Sequence, residues 1–277
     1  MGADTFRTAR TLSLVAAVMA AVGGAWTLAD PGLLHGPEAM QGSARGTALV
    51  MVALAVPVLL GSLWQAARGS GAALLTWGGA LLYLVYNAVL LLLLTPFNAA
   101  FLVYEAMLGT AVWAAGYLAG SHELWRVGEA MAMRAPVRGI AVYVWVIVAL
   151  NTLAWLSRVV PALDDAYPSP MLAGTGVQTN AIYVQDLAIW LPLAAVGAAW
   201  LARRTARGAV VTGGVLAFWV IEGVSIAADQ WMGASADPAS TVVSTAVVAP
   251  FLVIAAVGLV PLWLLLRRGA AVRDLRP

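Results

Sequence analysis

The chain contains no cysteine and no lysine. The first absence removes disulfides, thiolate metal ligands, iron–sulfur ligation and cysteine nucleophiles together. The second removes the Schiff-base lysine of retinal pigments and aldolase-type amines, so all fifteen basic residues are arginine. Only two histidines occur, His35 and His122, in different loops. They are too few for paired haem ligation or a multi-histidine zinc site. No HExxH, GxSxG or Walker lysine is present. The adjacent acids Asp164 and Asp165 stand on a proline-rich loop and read as a solvated turn. An enzyme is therefore the less favoured class, and neither a cofactor nor a metal is expected. Charge is scarce as well: 10% of residues are charged, against about 25% in a soluble domain.

What fills the chain is apolar. Of 277 residues 62% are hydrophobic, and the mean hydropathy is +0.88. This composition predicts an all-α integral membrane protein. Runs of about 20 apolar residues fall at roughly 11–29, 46–66, 71–94, 98–119, 138–160, 180–202, 208–229 and 240–266, which predicts eight transmembrane helices. Arg7 and Arg10 before the first run, and Thr27-Leu28-Ala29 after it, imitate a secretory signal. The run is long for a signal core and reads as a span.

Arginine then sets the orientation. With the N-terminus inside, thirteen arginines fall in cytoplasmic segments, and only Arg45 and Arg158 fall outside. Cytoplasmic loops carry the arginine excess, so both termini are expected in the cytoplasm of a bacterial cell, with the chain in its cytoplasmic membrane. The same asymmetry explains the basic isoelectric point, and no nucleic-acid partner is implied.

Positions 46–92 recur in outline at 181–227. Laid over each other without a gap, the two segments carry Pro57 onto Pro192, Arg68 onto Arg203 and Gly78-Gly79 onto Gly213-Gly214. The same register sets Tyr83 on Phe218 and Asn87 on Glu222. This predicts a 4+4 internal repeat of equal orientation. The halves are 1–119 and 138–277, joined by a cytoplasmic linker at 120–137 that reads as a short amphipathic surface helix. The glycine pairs predict close helix packing.

Polar groups deep in hydrocarbon are costly and mark functional candidates. Asn87, Glu105, Asn151, Asp186 and Glu222 all lie inside spans, in the half expected to face outward. Asn98 and Glu105, Asn151 and Arg158, Thr179 and Asp186, and Glu222 and Asp229 are each seven apart, close to two helical turns. Four converging polar stripes predict an outward-open vestibule. In it Glu105, Asp186 and Glu222 would meet the solute, with Asn87 and Asn151 as neutral ligands and Arg158 as counter-charge or gate. Each residue also has a plain structural role open to it: a helix cap, a headgroup-level charge or interhelical hydrogen bonding.

The segment Thr179-Asn180-Ala181-Ile182-Tyr183-Val184-Gln185-Asp186-Leu187, followed by Leu191-Pro192, resembles a segment of uncharacterised bacterial multi-pass membrane proteins. The likeness covers about a tenth of the chain and brings no activity with it. It implies that Asn180, Tyr183 and Asp186 belong to the part that such proteins share. These observations together predict a transporter or permeation protein for a small solute or cation, with protons the simplest coupling ion. The alternative is a membrane sensor or assembly subunit that binds a ligand or partner helix in the same vestibule. The lipid bilayer is the one partner that composition identifies, and the sequence leaves the oligomeric state open.

Overall fold

Backbone amides cannot stay unpaired in hydrocarbon, so each apolar run closes its hydrogen bonds internally as a helix. The computed structural model describes residues 2–267. Arg268, Arg273 and Arg276, counted above for orientation, lie outside them. Among the described residues eight helices are long and apolar enough to cross a membrane, and the protein is an all-α multi-pass membrane protein. The helices are α1 (Gly2–Ala29), α2 (Glu38–Ala67), α3 (Gly71–Leu93), α4 (Phe101–Ala119), α5 (His122–Arg134), α6 (Val137–Ala162), α7 (Ala181–Ala202), α8 (Ala206–Ala236) and α9 (Val248–Leu266). The short α5 is amphipathic and buries Leu124, Val127 and Met131 along one face.

α3 and α8 are the most buried of the eight, and α6 and α9 the least. Glycine makes this centre possible. A Cβ on Gly79 would collide with Ala217 and the Gly214 carbonyl, so α3 and α8 cross with their backbones in contact. α2 and α8 do the same further along, where Gly42 faces Met232 and Gly233, and Gly46 faces Ala228 and Asp229. Gly42 and Gly46 are four apart, the small-xxx-small spacing of close helix pairs.

That contact explains two departures from the apolar runs. α2 begins at Glu38 and α8 continues to Ala236, although Glu38–Arg45 and Gln230–Ala236 are too polar to read as span. Packing between the two segments holds both as helix. α1 belongs to the same bundle. Its Ser13 accepts a hydrogen bond from Trp77 Nε1 (2.8 Å), and its Thr27 hydroxyl meets the Tyr104 hydroxyl (2.6 Å), with all four residues buried. One hydrophobic core runs through both halves of the chain.

Several local features of α2 recur in α7, in the register that the sequence suggested. α2 holds a π turn at Met51–Ala55 and α7 one at Asp186–Trp190. Each is followed by a proline, Pro57 or Pro192. A proline offers no N–H to the carbonyl four residues back, and a locally widened turn is a usual response. Arg68 and Arg203 end these two helices with nearly equal backbone angles (φ −90°, ψ 3° and φ −87°, ψ 8°). Gly69 and Arg204 follow with positive φ, at 91° and 56°. Ser70 and Thr205 then cap the next helix, accepting from the amides of Ala73 and Gly208.

Candidate functional site

Glu222 lies one residue past the middle of α8, fourteen residues from its end at Ala236. At 1.5 Å per residue that is about 21 Å, twice the depth that follows from a span ending near Asp229. Its Oε2 accepts a hydrogen bond from Asn87 Nδ2 at 2.7 Å. The same amide donates to the Tyr83 carbonyl at 3.1 Å. Both side chains are buried, and Asn87 Oδ1 has no hydrogen-bond partner in the protein. Such an acceptor, sealed from water, costs about 1–3 kcal/mol unless something satisfies it.

Tyrosines line the pair. The Tyr83 hydroxyl meets the Ser225 hydroxyl at 3.0 Å, within electrostatic reach of Glu222 and Asp229. Tyr86 packs its ring on Phe218 (centroids 5.2 Å) and Trp190 (5.9 Å), and its hydroxyl faces the Asp186 carboxyl. Gln185 is buried alongside, accepting from Trp190 Nε1 (3.0 Å) and reaching the Tyr86 carbonyl. Asp229 accepts from its neighbour Gln230 at 2.9 Å. Three acids thus surround Tyr83 and Tyr86. Among the described residues, though, no three of His, Asp or Glu converge closely enough to hold a metal ion.

Asp186 opens the π turn of α7, and its Oδ2 accepts from Trp155 Nε1 at 2.8 Å. Trp155 also packs against Tyr183 (centroids 4.8 Å). Indole, not guanidinium, is therefore the partner of Asp186, while Arg158, one turn further along α6, is exposed. Trp155 is not among the candidates that the sequence singles out. Its spacing carried the signal: four residues after Asn151 and three before Arg158 put it on the same helix face.

The helices do not gather the eight candidates into one vestibule. Glu105 is exposed on the outer surface of α4, next to the buried Tyr104. Asn151 is half-buried and donates to the Ile147 carbonyl of its own helix (3.2 Å). Asn180 caps the start of α7, accepting from the Ile182 amide at 2.9 Å. Asn98 binds the Ala100 amide in the turn before α4. Of the eight candidates, Asn87 and Glu222 form one contact, and Asp186 with Tyr183 forms a second through Trp155. Of the four stripes, the one on α8 turns both its members, Glu222 and Asp229, toward the tyrosines. Of the α7 stripe only Asp186 reaches Tyr86, and the stripes of α4 and α6 stay apart, because a seven-residue interval fixes a helix face without fixing whether that face meets protein or lipid.

Fold and site together define a multi-pass α-helical membrane protein with a buried amide–carboxyl pair between its two central helices. Comparison with protein-family models, characterised proteins and solved structures gives no match.

Proposed function

We propose that this chain is a transporter or permeation protein for a proton or small monovalent cation, held at Asn87 and Glu222. The observation that carries this reading is the orphaned Asn87 Oδ1 beside a buried carboxyl. An amide oxygen left without a donor beside a buried carboxyl calls for an occupant that brings positive charge or a hydrogen, and one carboxylate with one amide suits a single charge. Asp186, next to the buried Gln185 on α7, belongs to the route toward the pair.

The reading includes a 4+4 duplication. Residues on a two-fold axis meet their own counterparts. Gly79 against Gly214 and Asn87 against Glu222, each 135 apart, support such an axis between α3 and α8. The matched π turns and caps support it further. The arginine count supports a bacterial cytoplasmic membrane with the short-turn end of the bundle inside. Asn180, Tyr183 and Asp186 remain the residues that such proteins would have in common.

The test is flux. Proteoliposomes should carry protons, Na⁺ or K⁺ down an imposed gradient, and Glu222→Gln and Asn87→Leu should abolish that flux while Glu105→Gln leaves it intact. Flux equal to empty liposomes for all three ions would reject transport. A second reading, a sensor or assembly subunit, is favoured by the tight closure of α3 on α8 at Gly79. It predicts cation-dependent stabilisation without flux.

A further inference from the structure

At the short-turn end of the bundle, a cleft of ≈ 620 Å³ opens between the start of α6 and the end of α7, lined by Pro136, Val137, Arg138, Gly139, Ala202, Arg203 and Arg204. We propose that this cleft binds the phosphodiester headgroup of an anionic phospholipid. Three arginines line this one cleft, and bidentate guanidinium–phosphate contacts are strong.

Two of the three differ from their counterparts at the end of α2. Arg68 lies over the Trp64 ring at 3.2 Å. At the matched positions Arg203 follows Ala199, which offers no ring to cover. Gly69 takes positive φ without penalty, whereas Arg204 holds φ 56° with a side chain. Strained backbone of this kind persists where a function or the surrounding structure requires it. Arg204 Nη1 donates to the carbonyls of Ala132 (3.0 Å) and Met133 (3.1 Å), which pins α5 beside the cleft. Arg138 stands where the matched position is Ala3.

The surroundings distinguish a lipid from a soluble anion. Below the cleft, α6 and α7 expose Val142, Val146 and Val196, and Met133 is exposed beside it. A headgroup held by the arginines would lay its acyl chains along this apolar surface, and basic pockets between helices at the membrane face bind headgroups in this way. Position 139 has open space around a Cβ, so a larger residue there fills the cleft without disturbing the helix.

Thermal unfolding of the purified full chain in detergent tests the proposal. Phosphatidylglycerol should raise Tm, whereas phosphatidylcholine at the same mole fraction should not. Arg138→Gln with Arg203→Gln should weaken the apparent affinity roughly 30-fold, from about 1 kcal/mol per arginine, and leave Tm in phosphatidylcholine unchanged. Gly139→Leu, with all three charges kept, should weaken it too. Equal stabilisation by both lipids, or a shift that survives the double change, would overturn the proposal. A shift reproduced by millimolar inorganic phosphate alone would assign the cleft to a free anion and overturn the lipid source.

Discussion

Asn87 of α3 donates its amide proton to Glu222 of α8 across 2.7 Å, and the two residues occupy matched positions, 135 apart in the chain. Two identical residues at that contact would set amide against amide or acid against acid. The pair is unlike, and its chemistry shows why that matters: an amide donor on one side satisfies a carboxyl oxygen on the other. Only the amide oxygen, Oδ1, is left over.

Asn87→Leu should lower stability by about 1–2 kcal/mol, the range for a hydrogen bond between membrane helices. Glu222→Gln should be nearly neutral, because its amide oxygen still accepts from Asn87. Unfolding in detergent of both single variants and the double variant gives the coupling energy. Additive effects would show that the contact contributes nothing.

The glycines make a sharper stability prediction. Gly46→Val would drive a branched side chain into the Ala228 carbonyl and the Asp229 backbone, and overpacking of that kind costs about 1–3 kcal/mol or more. Gly61 lies on the same helix with nothing near its Cβ position. Gly61→Ala should therefore stabilise by up to about 1 kcal/mol through helix propensity alone. Circular dichroism melts of the two variants should move in opposite directions.

The eight helices were legible in the sequence because hydropathy, summed over a window long enough to cross a bilayer, needs no knowledge of neighbours. Their polar ends were not. Glu38–Arg45 is helical because Gly42 and Gly46 meet Gly233 and Asp229, near the other end of the chain. The site divides in the same way. Asn87 and Glu222 stood out as amide and acid in apolar runs, and the proposed repeat would set them in register. Glu105 looked equivalent by depth, yet its neighbour Tyr104 takes the inward face and leaves it exposed. Depth is read along a helix, and facing is decided by what packs around it.

The arginine count predicts an orientation that reporter fusions check. Fusions after His35, Phe97, Asp165 and Ser240 should report outside, and those after Gly69, Ser121 and Arg204 inside. These sites lie in the connections between helices and interrupt no span. An inside signal after Asp165 would reverse the orientation and move the arginine cleft to the outer face.

Trp155 provides the test of the second contact. Trp155→Phe keeps an aromatic ring against Tyr183 but removes the Nε1–H that holds Asp186. The loss of a hydrogen bond to a charged group costs about 1.5–3 kcal/mol, and flux or cation-dependent stabilisation should fall about tenfold or more. Asp186→Asn retains an acceptor for the indole and should cost less stability than Trp155→Phe. The double variant should then be milder than the sum of the two, since the residues touch. Arg158→Gln, by contrast, should add to Asp186→Asn without coupling, because the exposed guanidinium is not the partner of this carboxyl. Strong coupling of Arg158 to Asp186, with none to Trp155, would make Arg158 the counter-charge of this carboxyl and remove the indole from the site.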